Sequence, residues 1–150
     1  MHLNDFLTPA RVAVPLVAHT KDEILAELVA LAAPDTPMRA MLYDEVRARE
    51  VVFPTALGDG VALPHVRSPH VDVMRLAAGV LSQPIPFGAS DGHPVDVFFL
   101  VLSPAHAPSE HLAVLRALSR LLADPGTVGT LRAARTPHAF LETVRSTSAF

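Results

Sequence analysis

The chain contains no cysteine, which excludes disulfides and thiolate zinc sites. Charge is sparse: 18% of residues are charged and the net charge is −3. No basic patch points to nucleic acid, and no acidic tail points to a disordered partner segment. Long apolar runs are lacking too. The longest, Val95 to Leu102, is interrupted by Asp96 and is far too short to span a bilayer. Met1 to Ala10 shows no basic region followed by an apolar run, so no signal peptide is expected. There is no G-x-S-x-G, no Walker A loop and no internal repeat. What is present is apolar bulk. Half of the 150 residues are hydrophobic, enough for one domain to bury its own core. The expectation is a single cytoplasmic domain over residues 1–150, without membrane insertion.

Thr20-Lys21-Asp22-Glu23 reads as a capping box, followed by Ile24, Leu25, Leu28 and Val29 at helical spacing. Thr36-Pro37 predicts a second helix start, with a hydroxyl cap before proline and Arg49 near the far end. Gly58-Asp59-Gly60 then marks a turn into the short apolar run Val61-Ala62-Leu63 before Pro64. Met74 to Leu81 and Val95 to Leu102 read as strands, the first weakened by Gly79. Pro84 to Phe87 and Asp91-Gly92 read as turns. Ser109 is expected to cap a helix with Leu112, Leu115, Leu118 and Leu122 on its inner face. Asp124-Pro125 and Thr136-Pro137 each start a further helix. Strands in the middle with helices on either side predict an α/β fold, with helices on both faces of a small mixed sheet.

The segment Thr55 to His65 carries the most chemistry. Pro64 fixes its own φ and biases Leu63 toward extended geometry, so His65 follows a strand on a stiff backbone. A neutral imidazole, with a free pKa near ~6.5, suits nucleophilic attack at cell pH. Gly58 and Gly60 would let backbone N–H groups converge on phosphate oxygens. Thr55 offers a hydroxyl donor. His111, in a first helical turn, would be kept neutral by the helix dipole and could donate to a phosphate. Arg49 carries a permanent forked charge. Each has an ordinary alternative: a turn histidine, a helix-end cation, plain turn glycines. His65 and His70, five apart, have no third metal ligand at compelling spacing.

Taken in order, Arg49-Glu50, the G-x-G-V-A-L-P-H ending at His65, Pro84-Ile85-Pro86-Phe87, Asp91 to Asp96, His111-Leu112 and Leu121 to Asp124 resemble a known family. It is the enzyme IIA domain of the bacterial phosphoenolpyruvate-dependent sugar phosphotransferase system, of the fructose/mannitol type that includes the nitrogen-regulatory branch. The likeness runs from about Leu3 to Val144. It implies a three-layer α/β/α sandwich around a mixed sheet, with no metal or organic cofactor. It also implies that His65 takes a phosphoryl group on Nε2 from an HPr-like phosphocarrier. His65 would pass it to a IIB domain, or its phosphorylation state would control binding to regulated partner proteins. His111 and Arg49 match the family's second histidine and its arginine. Two positions depart from the usual pattern. Val66 stands where a small residue is common, and Ala56 stands where glycine is common. Ala56 is expected to have an ordinary backbone.

Overall fold

The computed structural model describes residues 2–147. Two 3₁₀ turns, Leu3–Asp5 and Pro9–Arg11, lead into strand β1 (Val12–Ala13) and helices α1 (Lys21–Ala32) and α2 (Arg39–Val52). Strands β2 (Ala56–Gly58), β3 (Val61–Ala62), β4 (His65–Ser68), β5 (Arg75–Ile85) and β6 (Val95–Pro104) follow. Helices α3 (Pro108–Leu122), α4 (Pro125–Ala133) and α5 (Pro137–Thr147) close the chain. The sheet order is β1-β5-β6-β3-β2, and β4 also pairs with β6. β1 with β5, and β3 and β4 with β6, are parallel; β5 with β6 and β2 with β3 are antiparallel. The sheet is therefore mixed.

Alternation on the two long central strands separates two cores. Val97, Phe99 and Val101 of β6 join Leu76, Ala78 and Val80 of β5 beneath α3, α4 and α5. Phe98, Leu100 and Leu102 join Ala77 and Leu81 beneath α1 and α2. β6 is buried along its whole length and is nearly all apolar, with only Asp96 and Ser103 polar, as suits a strand covered on both faces. This is the expected three-layer α/β/α sandwich.

The local signals mostly hold. The Thr20 hydroxyl accepts from Glu23 N–H at 3.2 Å, but Glu23 returns its carboxylate to His19 N–H, so the box closes one residue early. Asp124 caps α4 through Gly126 N–H, and Thr136 accepts from Ala139 N–H before α5. Two caps are corrected. Thr36 accepts from Met38 N–H, but in a turn that precedes the helix, and α2 begins at Arg39. α3 begins with Pro108 at its first position and Ala107 as its cap, so Ser109 lies inside the first turn. β5 runs on to Ile85 through a register shift, past the turn expected at Pro84. Gly79 does not weaken β5: the Leu16 side chain occupies the space where a Cβ would stand, 2.6 Å from Leu16 Cγ.

Candidate functional site

His65 opens β4 at the register of Val101, rather than trailing the preceding strand. Leu63 and Pro64 bridge β3 and β4, and both strands lie parallel to β6. Pro64 has no N–H to give, but its carbonyl accepts from Val101 N–H at 3.0 Å, which anchors the bridge to the sheet. Val66 packs toward the α1/α2 core and the Ser68 hydroxyl reaches Glu45 of α2 at 2.7 Å. Alternation then turns His65 and Arg67 to the opposite face, toward α3.

Arg49, His65 and His111 line one shallow depression together with Val66, Arg67, Pro108 and Leu112. Thus three elements from different parts of the chain supply the three expected residues: the end of α2, the start of β4 and the first turn of α3. The His65 and His111 rings lie 5.7 Å apart between centroids. His65 Nδ1 is 2.8 Å from the Leu63 carbonyl oxygen. A carbonyl can only accept, so Nδ1 carries the proton in that bond. The lone pair of the neutral ring is then on Nε2. Arg49 donates to the Phe53 carbonyl at 3.2 Å and lies 5.4 Å from the Phe53 ring centre. One face of its fork thus steadies the helix end, and the remaining N–H groups are left for the depression.

His111 Nδ1 is 2.6 Å from the Ser103 hydroxyl, which is itself 3.2 Å from Met74 Sδ. Burial lowers the His111 pKa to about 4, with His65 and Arg67 adding to the shift through repulsion. The ring is therefore neutral across the physiological range.

Three other expected phosphate ligands are not brought to this depression. Thr55 is buried, and its hydroxyl donates to Glu50 Oε1 at 2.6 Å. Its only proton is thus committed elsewhere. Gly58 and Gly60 have φ of +100° and +79°, flanking Asp59 at +55°, and form the hairpin turn between β2 and β3. That turn lies beside Val97, whereas His65 lies beside Val101, about 13 Å further along at ~3.3 Å per residue. Gly60 instead packs against Arg132, whose Nε donates to both oxygens of Asp96 at 2.9 Å. Ala56 has ordinary strand backbone, as expected.

Sequence reasoning missed Arg67, Ser103 and the Leu63 carbonyl. Arg67 was legible in principle, because a strand starting at His65 puts the residue two further on the same face. Ser103 follows the same alternation from Val97, Phe99 and Val101. The carbonyl leaves no mark in sequence. Among the described residues, no group of three or more His, Cys, Asp or Glu side chains is placed to hold a metal ion. No helix among them is long and apolar enough to cross a membrane.

Comparison with known proteins agrees with this fold. The family model described as "Phosphoenolpyruvate-dependent sugar phosphotransferase system, EIIA 2" matches residues 5–147. A nitrogen regulatory protein of Bradyrhizobium diazoefficiens is 35% identical over 136 residues, covering 90% of this chain and 89% of the relative. The crystal structure of nitrogen regulatory protein IIA-Ntr from Neisseria meningitidis superposes with a TM-score of 0.88 at 26% identity, covering 95% of this chain and 98% of that one. The Escherichia coli complex of mannitol enzyme IIA with phosphorylated mannitol enzyme IIB has a TM-score of 0.75 at 18% identity, covering 93% and 97%. The last likeness speaks to the fold alone.

Proposed function

The chain belongs to the EIIA 2 family of the phosphoenolpyruvate-dependent sugar phosphotransferase system, and on that premise we propose that His65 is the residue that accepts and returns the phosphoryl group. The observation that carries the assignment is the Nδ1 to Leu63 carbonyl contact at 2.8 Å, which leaves Nε2 as the attacking atom. In the transfer, the Nε2 lone pair forms a bond to phosphorus as the phosphorus–nitrogen bond to a carrier phosphohistidine breaks. The breaking bond's electron pair stays on the carrier's ring nitrogen. No proton need move: Nδ1 keeps its hydrogen, and the ring of His65 becomes cationic. The bond to the Leu63 carbonyl then strengthens, because a charged donor makes the stronger hydrogen bond. This interaction grows as the reaction proceeds, which is the kind that lowers a barrier.

The remaining residues stabilise charge on the group in flight, the main task in phosphoryl transfer. Arg49 and Arg67 bring positive charge to the rim. The Ser103 proton has two neighbours, and the imidazole nitrogen is a better acceptor than a thioether. Donation to His111 Nδ1 leaves the His111 proton on Nε2, where it can meet a phosphoryl oxygen. The low His111 pKa keeps this donor neutral beside a ring that becomes cationic. The expected donor is an HPr-like phosphocarrier protein and the expected acceptor a IIB domain, in the cytoplasm.

A second reading is favoured by the relatives. Both the B. diazoefficiens and N. meningitidis proteins are named nitrogen regulatory, and each is matched over about nine-tenths of its length or more. In that reading the phosphorylation state of His65 controls binding to regulated partner proteins, and no onward transfer is needed. Transfer from an HPr-like carrier already ³²P-labelled on its phosphohistidine tests the assignment. Label should enter the wild type and be absent from His65→Ala; label retained by that variant would reject His65. Chasing the labelled protein with IIB domains separates the readings, since loss of label supports carriage and retention supports regulation.

A further inference from the structure

Glu50 is a charged side chain only 1% exposed, and it takes no part in the chemistry just described. Its carboxylate holds Thr55 twice. Oε2 accepts from Thr55 N–H at 2.8 Å, and Oε1 accepts from the Thr55 hydroxyl at 2.6 Å. Lys21 lies 3.4 Å from Oε2, which pairs the buried charge. The Lys21 ammonium sits over the Phe87 ring, 4.4 Å from its centre, and donates to the Phe87 carbonyl at 3.4 Å. The carboxylate is therefore fixed from one side by Lys21, the first residue of α1, and grips Thr55 on the other.

From Thr55 the contacts continue inward. The Thr55 carbonyl accepts from Leu63 N–H at 3.0 Å, and the Leu63 carbonyl accepts from His65 Nδ1–H at 2.8 Å. Leu63 belongs to neither β3 nor β4, so regular strand pairing does not set where its carbonyl points. The Thr55 bond holds its peptide on one side, and the Pro64 carbonyl's bond to Val101 N–H holds the other. The buried carboxylate thus stands at the head of a chain of hydrogen bonds that ends on the ring nitrogen opposite the proposed attacking atom.

We propose that Glu50 is a positioning residue for His65, which it holds in the Nδ1–H tautomer through Thr55 and the Leu63 carbonyl. The proposal deepens the phosphoryl-transfer reading and rests on it for its kinetic consequence, but not for the tautomer itself. A carboxylate suits the place because Thr55 presents two donors side by side. An amide has one accepting oxygen, so Gln at this position keeps one of the two bonds and turns an N–H toward a donor. With Thr55 loosened, the Leu63 carbonyl loses its aim. His65 is then free to take the Nε2–H tautomer that unconstrained histidine favours, in which the attacking atom is blocked by a proton.

The test uses ¹⁵N chemical shifts of the His65 imidazole in the full-length unphosphorylated protein. The variants are Glu50→Gln, Thr55→Val and Thr55→Ser, each confirmed as folded by its amide spectrum. Wild type and Thr55→Ser should show a protonated Nδ1 and a bare Nε2. Glu50→Gln and Thr55→Val should show proton shared with Nε2. With phosphorylated carrier as donor, these two should lose roughly ten- to a hundredfold in kcat at unchanged KM for the carrier, the upper figure being what a misplaced reacting group can cost. A role confined to anchoring α2 would lower stability in both variants while leaving the tautomer and kcat of the folded protein at wild-type values, and that result would overturn the proposal. If Glu50→Gln does not fold, Thr55→Val, which conserves volume, decides. If the wild type accepts no phosphoryl group, the transfer reading fails, and the tautomer measurement still stands as the test of the positioning role.

Discussion

Lowering the pH should destabilise the protein through His111. Its pKa is pushed from 6.5 to about 4, first by burial and then by repulsion from His65 and Arg67. An unfolded chain therefore binds a proton in this interval that the folded chain refuses. The sign follows: the contribution of neutral His111 is fully present above pH 6.5 and is lost progressively as the pH falls from there to about 4. At ~1.36 kcal/mol per pH unit, the whole shift has a ceiling of roughly 3 kcal/mol. His111 stands on the rim of an open depression, where water screens part of the repulsion, so the expected loss is about 1–2 kcal/mol. Urea unfolding at pH 7.5 and pH 4.5 reads it, with His111→Gln as the comparison. Gln does not titrate. The wild type should lose about 1–2 kcal/mol more than the variant between the two pH values. Equal losses, or an NMR titration that places the His111 midpoint near 6.5, would refute the reasoning.

Removing the guanidinium with Arg49→Ala should cut the rate of His65 phosphorylation by roughly 10²–10³, as losing one preorganised charge stabiliser does in other enzymes; rapid-quench labelling reads it, and a wild-type rate would remove Arg49 from the site. Arg49→Lys should recover only part of that rate, because a point charge cannot fork across two oxygens. Ser103→Ala strips His111 Nδ1 of its 2.6 Å partner and should cost about 1 kcal/mol in denaturant unfolding. Gly60→Ala should destabilise by about 1–3 kcal/mol, because φ is +79° and the new Cβ would stand 2.5 Å from Arg132 Nη2. The same variant, once folded, should take label at the wild-type rate, since the hairpin turn lies far from His65; a slowed rate would return Gly60 to the phosphate site.

Much of the fold was legible because its signals are local. Proline after a hydroxyl or carboxylate marked α4 at Asp124 and α5 at Thr136. The apolar run, interrupted only by Asp96, marked β6, as expected of a strand covered on both faces. The errors fell where a distant partner decides. Gly79 looked like a weak point until Leu16, far off in sequence, filled its side of the strand. Thr36 and Ser109 each carried a capping side chain in the right neighbourhood, yet proline and turn geometry moved the helix starts to Arg39 and Pro108. In the proposed site, His65, His111 and Arg49 could be named as candidates because their chemistry is unusual and the family resemblance ordered them. Thr55, Gly58 and Gly60 were drawn in by nearness in sequence alone. The hairpin carries the glycines to the far end of β3, and Thr55 spends its hydroxyl on Glu50. Glu50 was visible only as the neighbour of Arg49, since nothing in sequence says that a carboxylate is buried and gripping a threonine.

The central claim is that Nε2 of His65 is the atom that takes the phosphoryl group. It is tested most directly by ¹H–¹⁵N and ³¹P correlation spectra of the ¹⁵N-histidine-labelled protein after phosphorylation by an HPr-like carrier. The account predicts one phosphohistidine, at residue 65, with phosphorus coupled to Nε2 and the Nδ1 proton still present in its bond to Leu63. Phosphorus on Nδ1, or on any other histidine, would contradict it.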